Sequence, residues 1–117
     1  MTWSLADAAV DLHVWDQSGR HTWIDIRDEI PNAHTNGDVT TAGFETFTDE
    51  QWFLPVPAGG NRNLTYGVCL STPEPTPVAV RMVRSDGTVY NVSPTLTKNA
   101  GRYYDSPNGY IPPNGWC

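Results

Sequence analysis

Two short runs with two-residue alternation, joined by a glycine-containing turn, constrain this chain more than any other feature. Val10, Leu12 and Val14 alternate with Asp11, His13 and Trp15. After Asp16-Gln17-Ser18-Gly19-Arg20 the alternation resumes, with Thr22, Ile24 and Ile26 against His21, Trp23 and Asp25. Period 2 on both arms is the signature of paired antiparallel strands. A three-residue loop, Gln17 to Gly19, with Gly19 left-handed, suits a type I turn followed by a bulge. That register sets Asp16 against Arg20, Trp15 against His21, His13 against Trp23 and Asp11 against Asp25. It also brings Val14, Leu12 and Val10 beside Thr22, Ile24 and Ile26, so the aliphatic side chains share one face.

The device recurs downstream. Val78, Val80 and Met82 lead into Arg84-Ser85-Asp86-Gly87-Thr88, and Val89, Tyr90 and Val92 follow. Asp-Gly between alternating runs is a short-range hairpin cue. Between the hairpins, Leu64, Tyr66, Val68 and Leu70 line one face of a further strand, with Thr65, Gly67 and Cys69 on the other. Gln51 to Leu54 reads as a strand whose end is confined to an edge by Pro55 and Pro57, and Phe44 to Thr48 as another short one. Ile30 to Thr41 is a long excursion, Thr72 to Pro77 an extended proline-rich connector, and residues 98–117 an irregular tail rich in proline, glycine and aromatic residues. Ser4 to Ala9 has room for one helical turn. The 117 residues include 10 Gly and 10 Pro, which leaves little room for helices, and no segment combines helical periodicity with length. One domain over 1–117, an antiparallel β-sandwich of immunoglobulin-like or jelly-roll-like type with six to eight short strands, is the expected fold.

The motif Val10-Asp11-Leu12-His13-Val14-Trp15-Asp16 with Ser18-Gly19 resembles a family of secreted bacterial β-sandwich accessory domains. Its members carry Asp-x-Asp-Leu-His-Val and then a Pro-x-Gly turn, often beside von Willebrand A or protease domains. Leu64 to Val68 and Val78 to Val83 look like that family's closing strands, so the resemblance spans about residues 8–92. The family's first Asp falls on Ala9 here and its turn Pro on Gln17, which weakens any inherited cation-binding role. The resemblance implies an accessory, non-catalytic module.

Charge and cysteines narrow the function classes. Net charge is −6, and the first 50 residues carry ten acids against Arg20 and Arg27. Phosphate binding needs a basic stripe, and none is present, so a nucleic-acid partner is not expected. The acidic half reads either as a solvated face or as a site for a cation or a basic partner. No run of about 18 apolar residues occurs, so membrane insertion is not expected. The N-terminus lacks the basic start and apolar run of a secretory signal. A matured chain with an added Met1, a protein used where it is made, and one that leaves inside an assembled particle all fit that. Cys69 and Cys117 are the two cysteines. A bridge between them would anchor the tail, contribute up to ~4 kcal/mol by loop closure, and place the protein in an oxidising location, extracellular or on a virion or surface particle. Two unrelated thiols are the alternative.

Candidate chemistry gathers on the polar face of the first hairpin. Asp11 opposite Asp25 is a like-charge pair that a calcium ion would relieve, with Asp28, Glu29 and Asp38 near enough in sequence to add oxygens. Solvent and a slight splaying of the strands would relieve it too. His13 and His21 are diagonal in this register, each faces a Trp, and no metal-ligand motif accompanies them. Trp15 and Trp23, with His13 and His21, form a surface on which a sugar ring can stack while polar groups take its hydroxyls. Burial of the same Trp residues under a loop or another subunit is the competing reading, and Trp3, Trp52, Trp116 and Tyr103-Tyr104 add further aromatic surface. No Gly-x-Ser-x-Gly, Cys-His signature or phosphate-binding glycine loop is present, and Asp28-Glu29 and Asp49-Glu50 sit on expected turns, so catalysis is not expected. The sequence thus predicts a binding or adhesion module for a glycan or protein surface, without a cofactor unless calcium. The alternative is a structural subunit, a decoration or fibre protein that assembles with itself or a lattice.

Overall fold

The computed structural model describes residues 1–23, 30, 33–35, 43–44, 46–49, 64–83, 89–105 and 110–117, with 33–35, 47–49 and 105 described by their backbone alone. Eleven strands run through them: β1 (Thr2–Trp3), β2 (Val10–Trp15), β3 (His21–Thr22), β4 (Ala33–Thr35), β5 (Gly43–Phe44), β6 (Phe47–Asp49), β7 (Thr65–Leu70), β8 (Thr76–Val83), β9 (Val89–Val92), β10 (Thr95–Leu96) and β11 (Arg102–Asp105). Two antiparallel sheets pack face to face as a β-sandwich. One has the order β10-β8-β1-β5, with β9 also on β8; the other has the order β11-β7-β2-β3, and β4 and β6 form a separate two-stranded ribbon.

Alternation explains the inner core. Val10, Leu12 and Val14 of β2, Val68 and Leu70 of β7, Val78 and Val80 of β8, Leu96 of β10 and Trp3 of β1 form one buried cluster. Along β8, Thr76, Val78 and Val80 are buried while Pro77, Ala79 and Arg81 are exposed, which is period 2 along one face. Burial of this apolar surface is the main favourable contribution to the fold. Trp3 reaches it from a two-residue strand, and its indole Nε1–H donates to the Ala8 carbonyl at 3.0 Å. The apolar ring is thereby buried with its polar atom satisfied.

The first hairpin has the expected register, with Val14 opposite Thr22 and Trp15 opposite His21. Gly19 is left-handed at φ 87°, and the Asp16 and Arg20 backbones close the turn through Asp16 N–H to the Arg20 carbonyl at 3.0 Å. The second hairpin pairs Val83 with Val89 and Val80 with Val92. Its turn, Arg84 to Thr88, lies outside the described residues, as do Ile24 to Glu29 and the expected strand Gln51 to Leu54.

Four features depart from the sequence reading. Strand β8 begins at Thr76, so the proline connector is shorter than expected. Pro77 stands opposite Thr95 near the start of the strand, where proline is tolerated. The tail carries a strand, β11, which pairs along β7 from Arg102 opposite Val68 to Asp105 opposite Thr65. The excursion from Ile30 carries β4, and Ile30 itself is fully buried. The short strand expected over Phe44 to Thr48 is divided between β5 and β6, which belong to different sheets.

Candidate functional site

Strand β2 is buried on both faces. Opposite the inner core, His13 and Trp15 are only 2% and 3% exposed, although that face of β2 points away from the other sheet. What covers them is the end of the chain. The Trp116 ring meets the rings of His13 and Trp15 edge-on, at centroid distances of 5.2 Å each. A disulfide between Cys69 on β7 and Cys117 anchors the segment at its last residue. At the other end, the Thr65 hydroxyl donates to the Tyr110 carbonyl at 2.6 Å. Residues 110–117 therefore form a strap across the outer face of the β11-β7-β2-β3 sheet.

Two glycines make room for it. A methyl carbon placed on Gly67 would lie 2.8 Å from both the Trp116 and Trp15 rings, and one on Gly101 would lie 2.6 Å from Trp116 and 2.8 Å from the Cys117 sulfur. Only hydrogen fits at either position, so these residues form a socket for the Trp116 ring. Gly19 is close to the Tyr110 ring in the same way, at 2.9 Å.

Within the covered face the rings form an ordered array. His13 stacks on Trp23 at 4.7 Å and 17°, and Trp15 stacks on His21 at 4.4 Å and 15°. The diagonal pair is closed by a hydrogen bond between His13 Nδ1 and His21 Nε2, 2.9 Å apart. One imidazole donates an N–H there and the other accepts. Burial, and then the neighbouring His21, push the His13 imidazole down to a pKa of about 3, so His13 is neutral at ordinary pH. His21 and Trp23 are half-buried and form the accessible rim of the array.

At the hairpin tip, Asp16 is 1% exposed and fully engaged. Its Oδ1 accepts from the Ser18 N–H at 3.0 Å, the Ser18 hydroxyl at 2.8 Å and the Arg20 N–H at 3.0 Å. Its Oδ2 is paired with the Arg20 guanidinium. Burial pushes this carboxyl up, but the Ser18 and Arg20 hydrogen bonds and the Arg20 charge more than offset it, leaving it below the usual carboxylate range. The hydrogen-bonding pattern is that of a residue that builds a turn.

The structure brings together all four residues expected to form the aromatic face, Trp15, Trp23, His13 and His21, and it bonds the two cysteines. Asp11 is half-buried on the same face and stands opposite Cys69 on β7. Asp25, Asp28, Glu29 and Asp38 lie outside the described residues, so the proposed carboxylate pair does too. Among the described residues, no group of three or more metal-ligating side chains occurs. Sequence reasoning missed Trp116 as a member of the array and Tyr110 as an anchor of the strap. The available signal was Gly67, a glycine inside an otherwise apolar strand, which marks close approach by something else.

Comparison of the chain with protein-family models, with curated proteins and with solved structures returned no match.

Proposed function

We propose that this protein is a non-catalytic binding or adhesion module, secreted or displayed on a particle, whose accessible His21–Trp23 rim recognises a glycan. The observation that carries the reading is the near-parallel ring array. The His21 and Trp23 planes lie within 5° of each other, and His13 and Trp15 back them from beneath. A flat, stiff aromatic rim suits the apolar C–H face of a sugar, and an imidazole nitrogen suits its hydroxyls. Trp15 and His13 then serve as the rigid backing for the rim. The resemblance of the Val10–Asp16 motif to secreted bacterial accessory domains favours the same class, and a disulfide-anchored tail suits an oxidising compartment. No cofactor is assigned; calcium held by Asp11 and Asp25 would be revealed by a melting temperature that differs between calcium and EDTA.

Glycan-array screening followed by titration of the best hit against Trp23→Ala tests the proposal. Loss of at least about tenfold in affinity is expected if one ring stack is removed. Undiminished binding by Trp23→Ala to every hit, or no hit at all, would overturn it.

A second reading, a lattice or fibre subunit, is favoured by a separate observation. Phe44, Val83, Val89 and Tyr90 are all exposed large apolar side chains on the sheet that contains β5, β8 and β9. Exposed apolar surface of this kind suits contact between protein subunits. Light scattering on non-reduced protein separates the two: a monomer favours the binding module, and a discrete or growing oligomer the subunit.

A further inference from the structure

The His13–His21 hydrogen bond sits under a strap that a disulfide ties to β7 at Cys117 and that a hydrogen bond from the Thr65 hydroxyl holds at Tyr110. A neutral pair holds one proton between its two nitrogens at 2.9 Å. A first added proton is accommodated, because an imidazolium can still donate to a neutral imidazole. A second is not. It would aim two N–H groups at each other, remove the hydrogen bond and set two positive charges side by side in a buried site.

His13 has no room to retreat. Its ring is stacked on Trp23 and Trp15 and met edge-on by Trp116, and its backbone is paired with Gly67 in the middle of the sheet. Among the described residues, few titratable groups share the outer face with the pair. On the outer face, β2 contributes Asp11 in addition to His13 and Trp15, and β3 contributes His21. Strand β7 contributes Thr65, Gly67 and the bridged Cys69, none of them titratable. On β11, Tyr103 stands opposite Gly67 and Asp105 opposite Thr65, and the strap contributes Tyr110, Trp116 and the bridged Cys117. The element that can move is the strap. Its Trp116 ring rests on two glycines, and among the described residues the Thr65–Tyr110 hydrogen bond and the packing of the Tyr110 ring on Gly19 hold its far end.

We infer that the strap is an acid-operated cover: double protonation of the His13–His21 pair expels the Trp116 ring from its Gly67–Gly101 socket while the inner core and the disulfide stay intact. The open form stays tied to β7 at Cys117 and to β11 by chain continuity, and exposes the His13 and Trp15 rings. For the binding reading this would enlarge the accessible face from a two-ring rim to the full array, but the opening itself does not rest on that reading. Uptake of one proton on opening makes the open-to-closed ratio rise about tenfold per pH unit between roughly pH 6 and pH 3.

The experiment is an NMR titration of the intact, oxidised protein from about pH 8 to about pH 2.5, following histidine ring nitrogens and the Trp116 indole N–H, with far-ultraviolet circular dichroism alongside. The expected result is two-step protonation of the His13–His21 pair. The Trp116 signal should move with the second step, while the β-sheet spectrum is unchanged. In His21→Gln, which can still hydrogen-bond His13 but cannot take a proton, the Trp116 transition should shift to lower pH or vanish. Three results would each overturn the inference. They are a Trp116 signal that stays fixed while the histidines titrate, one that moves only together with loss of the sheet spectrum, and an acid midpoint unaltered in folded His21→Gln. The wild-type titration decides the matter alone if that variant does not fold.

Discussion

On one side of β2, Val10, Leu12 and Val14 join aliphatic side chains from β7, β8 and β10. On the other, His13 and Trp15 are just as buried, yet their neighbours are rings. The inner core is closed by a second sheet and depends on shape and apolar area, which tolerate approximate solutions. The outer one is closed by eight residues of chain, and depends on a disulfide, two positions without a Cβ and a hydrogen bond between histidines. Each of these is a discrete device that fails when one atom is wrong. The inner core should therefore determine whether the protein folds, and the outer one what its surface is and how it responds to conditions.

The largest effect expected is on the inner side. Leu70 is fully buried, and Leu70→Ala should cost about 2–5 kcal/mol in denaturant unfolding. Below the transition, the Trp116 indole N–H signal should stay native, because the outer rings do not share that cavity, whereas Trp3 does belong to the inner core. Loss of that signal in the folded variant would show that the two cores are one unit.

Next comes the latch. Cys117→Ser opens a loop whose bridged residues are 48 apart in sequence, with an expected loss of up to ~4 kcal/mol. The melting temperature should fall, and acrylamide should quench tryptophan fluorescence more strongly than in the oxidised parent. Equal quenching would mean that the strap stays seated without its bridge.

Gly67→Ala follows. The added methyl would press on the Trp116 and Trp15 rings at once, and overpacking of this kind costs about 1–3 kcal/mol. Ala79, exposed on β8, provides the control: Ala79→Ser should be close to neutral. If Gly67→Ala melts with the parent, the socket is looser than described.

Acid comes last. His13 is held near 3 in the folded protein against an ordinary 6.5, so the folded state binds fewer protons than the unfolded chain between those values. Stability from this group is complete above about 6.5 and, while the strap stays closed, falls by about 1.4 kcal/mol per pH unit towards 3; the slope flattens once the open folded form dominates. Asp16, lowered in the fold, adds a loss of the same sign at still lower pH, as its carboxylate is neutralised. His13→Gln should flatten the upper part of the profile and leave the Asp16 part. An unchanged slope would remove His13 from the account.

The two sides of β2 also differ in how legible they were in the sequence. The alternation of Val10, Leu12 and Val14, and of Val78 and Val80, is local and repeats every second residue, so these inner faces could be read directly, whereas Thr76 was hidden among the prolines. The hairpin register was legible for the same reason, since Gly19 and the aliphatic pairing pointed to one answer. Nothing local links Trp116 to Gly67 or Gly101. That contact depends on where the tail returns, which no periodicity encodes. Strand β11 escaped because Arg102, Tyr103, Tyr104 and Asp105 do not alternate in polarity: an edge strand draws its stability from the ladder with β7. The four residues of the aromatic face were identified from their shared side of the hairpin. How deeply each would be buried was decided by the strap, and so was not visible from the hairpin alone.

The measurement that bears most directly on the outer core is the proton spectrum of Gly67 and Gly101 in the oxidised protein at neutral pH. With the Trp116 ring seated against both, one Hα of each glycine should be shifted upfield by the ring current and show Overhauser contacts to the Trp116 ring protons. Glycine Hα signals at ordinary positions, with no contact to Trp116, would contradict the strap and with it the second core.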